Sequence, residues 1–317
     1  MTDMSVMIGS LRLASPVMPA SGTFGDAMGQ VMDIRRLGAV VTKTITRERR
    51  EGNPLPRVAE TTAGMLNAIG IPSHGAEDFI NRTLPRYTQW GTPLVVSISA
   101  PDAAGFAALA RVISIPGVDA IEANISCPNI EADGKAFAMD ANATTRVVAA
   151  LRAATDLRLW AKLTPNCNDV GAIARAAEAA GADAIVVANT ILGMAIDTRT
   201  FRPRLGNVMG GLSGAAIKPI ILRQTYQCAR SVAIPVIGCG GITTAEDAAE
   251  YMLAGAAAVQ VGTASFLNSL AMTDILDGLD RFCHVRGIAR VAALTGAMCD
   301  AGPPHHCDRD ASCTTAT

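Results

Sequence analysis

Eight short apolar runs recur along the chain, at 17–21, 39–45, 94–99, 120–125, 159–164, 184–190, 235–240 and 258–263. Their near-continuous hydrophobicity suits strands buried on both faces, as in a parallel sheet. Between them lie Ala-rich stretches of helical character, among them 170–180, 215–231 and 244–254. The last begins on Thr243-Thr244-Ala245-Glu246-Asp247, a cap signal with early acids, and stops at Gly255. Eight such units in 317 residues predict an α/β fold, a (β/α)8 TIM barrel. The rival is an open doubly wound sheet, but no G-x-G-x-x-G follows the first run. Two connections are longer than usual, 46–93 after the second strand and 191–214 after the sixth. Both would emerge at the C-terminal face, so the barrel should carry a long insertion after strand 2 and loops covering that face. Residues 1–300 read as one barrel domain, and the polar stretch 301–317 as a disordered tail.

Charge and composition narrow the chemistry. Lys plus Arg number 27 and Asp plus Glu 28, which argues against a nucleic-acid protein. Aromatic residues make up 4%, too few for a base-stacking platform. No run approaches the roughly 18 apolar residues of a membrane helix. The opening MTDMSVMIGS lacks a basic then apolar leader, so a cytoplasmic protein is expected. The eight cysteines are scattered and read as reduced thiols. His305 and His306 fall in the tail, which leaves only His74 and His284 in the body and makes a histidine-rich metal site hard to build. His74 reads as loop surface and His284 as structural. Cys299, Cys307 and Cys313 with the tail histidines match no compact zinc spacing, so no metal site is expected.

The informative feature is what stands at the strand ends. The first run ends in Ser21-Gly22-Thr23, the second carries Lys43 and Thr44, and the fourth ends in Asn124-Ile125-Ser126-Cys127-Pro128-Asn129. The fifth has Lys162, the sixth ends in Asn189-Thr190, and the last two end in Gly240-Gly241 and Gly262-Thr263. Amides, hydroxyls, two lysines and a thiol thus converge on one rim, which calls for a large polar ligand. The two glycine-bearing turns suit a phosphate, because glycine lets backbone N–H groups approach an anion. Lys43 and Lys162 lie in apolar strands. Each could pair structurally with an acid, but contact with an anionic ligand is the reading favoured here. Cys127 could be a core thiol. Its place at the catalytic face also fits a general base, since a thiol of pKa about 8.5 can be tuned toward neutrality. Cys239 reads as strand packing, and the run from Arg47 to Arg50 as a solvated loop face.

In this order, these residues resemble dihydroorotate dehydrogenase of the soluble class 1 type, over almost the whole chain. The most specific blocks are Glu51-Gly52-Asn53-Pro54, Gly64-Met65-Leu66-Asn67-Ala68-Ile69-Gly70, Asn124 to Asn129, and Gly210-Gly211-Leu212-Ser213-Gly214. The loops look closest to class 1B, the NAD-linked branch. The resemblance implies a barrel holding one FMN. It assigns FMN contacts to Ser21, Lys43, Thr44, Ser97, Asn124 and Lys162, and further to Ala188, Gly214, Gly240, Gly241, Gly262 and Thr263. The pyrimidine would be held by Lys43, Asn67, Ala68, Ile69, Gly70, Ile71, Asn124, Asn129, Asn189 and Thr190. Cys127 would take the C5 proton of dihydroorotate while hydride passes from C6 to the flavin. A partner subunit carrying FAD and a [2Fe-2S] cluster would pass electrons to NAD, within a homodimer or heterotetramer.

The chain departs from the family pattern at two places. Ser97 stands where an asparagine is typical, and Ala138 where glycine is usual. Three other readings compete. One is a flavoprotein of dihydropyrimidine dehydrogenase type acting on uracil or thymine. Another is a flavin-binding homologue without turnover. The third is a non-flavin barrel aldolase or isomerase with a phosphorylated substrate. The Asn67 to Ile71 block and Lys43 favour a carboxylated pyrimidine.

Overall fold

The structure, a computed structural model, describes residues 2–126 and 136–299. Strands β1 (Val6–Ile8) and β2 (Leu11–Leu13) form an antiparallel hairpin. Its inward residues Ile8 and Leu13 pack on Met18, Val41, Val95 and Trp160. Arg158 Nε donates to Ser10 Oγ at 2.9 Å, which ties the hairpin across the N-terminal mouth of the barrel. The chain then runs through β3 (Val17–Pro19) and β4 (Val40–Val41) into an insertion with β5 (Val58–Thr61), β6 (Gly64–Asn67), α1 (Ala76–Asp78) and α2 (Leu84–Thr88). There follow β7 (Leu94–Ile98), α3 (Ala103–Ile113), β8 (Ala120–Asn124), α4 (Ala141–Arg152), β9 (Arg158–Lys162), α5 (Val170–Ala179) and β10 (Ala184–Val187). A second insertion holds β11 (Ile191–Met194), β12 (Ile196–Asp197), β13 (Arg202–Pro203) and β14 (Met209–Ser213). The chain continues with α6 (Lys218–Ala229), β15 (Val236–Gly238), α7 (Ala245–Leu253), β16 (Ala256–Val261), α8 (Ala264–Leu267) and α9 (Ala271–Val285).

Eight parallel strands lie in the order β3-β16-β15-β10-β9-β8-β7-β4. The Gly38 N–H donates to the Val17 carbonyl at 2.8 Å and draws the two end strands together, so the sheet is a nearly closed (β/α)8 barrel. Alternate residues of each strand face opposite ways. Val96, Ile98, Ile121, Ala161 and Ile185 pack outward against Phe106, Leu109 and the other helix residues. Val95, Ala120, Trp160, Val186 and Ile237 fill the interior. Helices start where side chains accept from their first turn. Asp102, Asp140 and Asp169 cap α3, α4 and α5, and Thr244 forms a capping box with Asp247 on α7.

Element boundaries differ from the sequence expectation. Strand β3 stops at Pro19 rather than at 21, β4 spans only Val40–Val41, and β10 stops at Val187 rather than 190. The stretch 215–231 begins as a 3-10 turn, Ala215–Ile217, before α6. Pro219 suits the first turn of α6, where its missing N–H costs nothing. Near the rim the strands give way to turns, so most of the polar residues expected at strand ends sit in the loops just beyond them.

The long connections are more ordered than loops. Strands β5 and β6 pair antiparallel, β6 pairs with β14, and β14 with β11, giving one four-stranded sheet in the order β11-β14-β6-β5. Ala59, Leu66, Ala68 and Leu205 form its own small core. Close approach explains two of its glycines. A Cβ at Gly64 would lie 2.0 Å from the Ser213 carbonyl oxygen, and one at Gly211 would lie 1.8 Å from Thr190 Oγ1.

Candidate active site

Strand parity decides which polar side chains meet. Ala120 faces the interior, so Glu122 and Asn124 on the same strand do too. Trp160 places Lys162, and Ala258 places Gln260, on the same inner face. Neighbouring register sets Asn124 beside Lys162 and Glu122 beside Trp160, one layer deeper.

On one side of the rim, hydroxyls and amides form a chain. Thr44 Oγ1 and Ser97 Oγ lie 2.9 Å apart, and Asn124 Nδ2 donates to Thr44 Oγ1 at 3.5 Å. Ser126 Oγ donates to Asn124 Oδ1 at 2.5 Å, and Asn189 Nδ2 donates to Ser126 Oγ at 2.5 Å. The Thr190 N–H donates to Asn189 Oδ1 at 2.8 Å. Asn166 Nδ2 donates to the Thr190 carbonyl at 3.1 Å, and Asn166 Oδ1 accepts from the Leu192 N–H at 2.9 Å. Asn67 joins this side through the insertion sheet, donating from Nδ2 to the Gly211 carbonyl at 3.3 Å. The block 67–71 is strapped from below. Asn53 N–H donates to the Ile69 carbonyl at 3.1 Å, and Arg50 Nε donates to the Gly70 carbonyl at 2.7 Å. Arg50 therefore holds a candidate binding loop, beyond the solvated role expected for its run. Ile71 has φ 52°, a left-handed conformation that a β-branched residue adopts only when its surroundings impose it.

Two lysines and a set of backbone donors complete the rim. Lys162 is 3% exposed, and its Nζ donates to Gln260 Oε1 at 2.9 Å and to Ser21 Oγ at 3.4 Å. Glu122, 0% exposed, lies 3.7 Å from it, an acid partner that sequence reasoning set aside in favour of a ligand anion. Lys43 runs beside Gly22, whose added Cβ would lie 3.7 Å from its Cδ. Gly241 and Gly214 are adjacent, because a Cβ on Gly241 would lie 2.9 Å from the Gly214 carbonyl oxygen. Thr263 Oγ1 donates to Ser213 Oγ at 2.8 Å. Among the described residues, the N–H groups of Gly240, Gly241, Gly262 and Thr263 have no protein acceptor. Ser265 Oγ, just past them, is buried without a partner. These orphaned donors fit an anion such as a phosphate.

Asp247 secures the helix that follows Gly240-Gly241. It accepts from Lys218 Nζ at 2.7 Å, from the Thr243 N–H at 2.8 Å and from the Thr244 N–H at 3.0 Å. Burial opposes its charge, but Lys218 and the Thr243 and Thr244 donors more than offset it and hold the carboxyl below its usual range. A depressed carboxyl stabilises the fold above its unfolded pKa of about 3.9, and that contribution is lost as pH falls through the lower folded value. Asp247→Asn is therefore expected to cost about 1 kcal/mol at pH 7, a fall of roughly 2–4 °C in melting temperature. Thermal melts of both proteins should converge once acid protonates the wild-type carboxyl.

Cys127 and Asn129 lie outside the described residues, as does the stretch 301–317. Ala188 follows β10 and is buried, its N–H donating to the Cys239 carbonyl at 2.9 Å. Ala138 is fully buried and donates to the Ile125 carbonyl at 3.1 Å. Cys167, Cys228, Cys239, Cys283 and Cys299 are unpaired thiols, Cys239 inside the barrel as expected. His74 is exposed, and so is His284 on α9, against the structural role expected of it. Glu122 and Gln260 were missed, although a charge or amide amid an apolar barrel strand on the same parity as Asn124 was a usable signal. Among the described residues, no helix is long and apolar enough to cross a membrane.

Comparison with known proteins gives a consistent result. The family described as dihydroorotate dehydrogenase matches residues 3–283. A protein of Trichlorobacter lovleyi named dihydroorotate dehydrogenase B (NAD(+)), catalytic subunit, is 50% identical over 298 residues, 93% of this chain and 98% of that protein. Proteins of the same name from Pelobacter propionicus and Bacteroides fragilis are 47% and 45% identical, covering 93% and 94% of this chain and 98% and 99% of their own lengths.

Proposed function

The chain belongs to the dihydroorotate dehydrogenase family, and from that premise we propose that it oxidises dihydroorotate to orotate in pyrimidine biosynthesis. The observation that carries this reading is the two-sided rim. Orphaned backbone donors lie on one side, and a chain of amides and hydroxyls on the other. The first suits the phosphate of FMN, with Gly214, Gly240, Gly241, Gly262 and Thr263 as its holders. Ser21, Lys43, Thr44, Ser97, Asn124, Lys162 and Ala188 would line the rest of the cofactor. FMN, when bound, supplies the acceptor for the C6 hydride of dihydroorotate.

The chain's own residues supply orientation and proton transfer. Asn124, Asn189 and Thr190, with Asn67 to Ile71 and Asn129, match a ring that presents both donors and acceptors. Lys43 matches its carboxylate. Cys127 removes the C5 proton. The relatives' name, a catalytic subunit of an NAD-linked enzyme, supports a separate electron-transfer subunit. On this reading FAD and a [2Fe-2S] cluster would belong to that partner. A cytoplasmic, homodimeric or heterotetrameric assembly fits this reading.

The test is an anaerobic absorbance spectrum of the purified protein before and after dihydroorotate. A flavin band that bleaches is the expected result. A band that bleaches only with dihydrouracil or dihydrothymine would move the substrate to an uncarboxylated pyrimidine. A protein that neither carries FMN nor takes it up would overturn the flavoenzyme reading.

A further inference from the structure

A charged pair sits inside the barrel, where branched apolar side chains usually fill the layers. Glu122 on β8 is fully buried, and Lys162 on β9 nearly so. Gln260 reaches them from β16, on the far side of the barrel in strand order. Its Nε2 donates to Glu122 Oε2 at 2.6 Å, and its Oε1 accepts from Lys162 Nζ at 2.9 Å. The amide is thereby fixed in one orientation, donor toward the carboxylate and acceptor toward the ammonium. Glu122 Oε1 has no hydrogen bond and faces Lys162 Nζ at 3.7 Å. The third neighbour of Nζ is Ser21 Oγ, at the rim.

We infer that Glu122 and Gln260 are positioning residues that keep Lys162 an ammonium and aim it at the rim. This rests on the flavin reading above, because the aimed charge would face the cofactor. A lysine buried in an apolar barrel without a counter-charge loses its proton near neutrality. Glu122 supplies that counter-charge from one layer deeper, so the positive end of the pair is the end nearer the rim. With FMN bound, Lys162 would be a cation already in place to stabilise the negative charge that the flavin gains on reduction. Among the described residues, the ionisable groups facing Lys162 are Glu122 and Cys239. Burial opposes the ammonium, while Cys239 and Glu122 oppose its loss, and Lys162 stays above its ordinary value. Burial also raises the Cys239 thiol, against the pull of Lys162.

The test compares Glu122→Gln, Glu122→Asp and the double variant Glu122→Gln/Lys162→Met with wild type, each loaded with FMN. The ratio of reduced to oxidised flavin is read against a reference dye at fixed poise, from pH 6 to pH 9. At pH 9 the E122Q ratio should be about tenfold below wild type, the scale of one nearby charge lost in a partly screened site. Acidification should return it toward wild type as Lys162 regains its proton. The double variant should stay low at every pH, and E122D should restore the wild-type profile. An E122Q ratio equal to or above wild type at pH 9 overturns the inference while leaving the flavin reading intact. If E122Q does not fold, an E122D profile that departs from wild type and follows the double variant overturns it equally. Failure of all four proteins to take up FMN overturns both.

Discussion

Cys127→Ser is expected to slow reduction of the bound flavin by dihydroorotate by about 10²–10⁴-fold at neutral pH, the usual worth of a positioned general base. A serine hydroxyl holds its proton far more tightly than a thiol whose ordinary pKa is about 8.5. Among the described residues, Cys167, Cys228, Cys239 and Cys283 offer no replacement. Burial pushes Cys228 up to about 12 and raises Cys167, Cys239 and Cys283 as well. The measurement is an anaerobic single-turnover absorbance trace, which isolates the reductive half-reaction from any later electron transfer. A near-wild-type rate in the serine variant would remove Cys127 from the mechanism.

Lys162→Met should cost about 3–5 kcal/mol of folding stability, because it leaves the Glu122 carboxylate buried without its counter-charge. Adding Glu122→Gln should recover most of that loss, since an apolar and amide pair of similar size carries no uncompensated charge. Denaturant unfolding of the single and double variants separates the two cases. Equal stability of wild type and Lys162→Met would mean that the pair is not ionic. The pH dependence has a definite sign. Lys162 is raised above its ordinary value, so its contribution is complete below the unfolded pKa of about 10.4 and disappears as pH rises through the folded one.

Much of the barrel was legible because strands buried on both faces are written as unbroken apolar runs. The same runs marked the rim, since Asn124, Lys162 and the glycine turns stand where each run ends. The pairing of Lys162 with Glu122 was not legible at that level. Glu122 and Lys162 lie 40 positions apart in sequence, and only strand order and register bring them together. Gln260 is more distant still, because its partner lies across the barrel rather than on a neighbouring strand. The insertion sheet was hidden for a related reason. Gly64, Gly210 and Gly211 read as loop residues, yet they are strand residues where a Cβ would strike a neighbouring backbone or, at Gly211, the Thr190 side chain. The roles of Cys127 and Asn129 rest on residue type and family resemblance.

The antiparallel sheet over the rim joins segments separated by well over a hundred residues. A lone hairpin such as β5 and β6 is marginal in water, and the register between β6 and β14 is what completes each half. The two insertions are therefore expected to unfold locally as one unit. Amide hydrogens of Leu66 and Leu212 should consequently exchange with solvent as a group. Access to the amide-lined side of the rim would then follow a single opening equilibrium, set by the weaker of two distant stretches of chain.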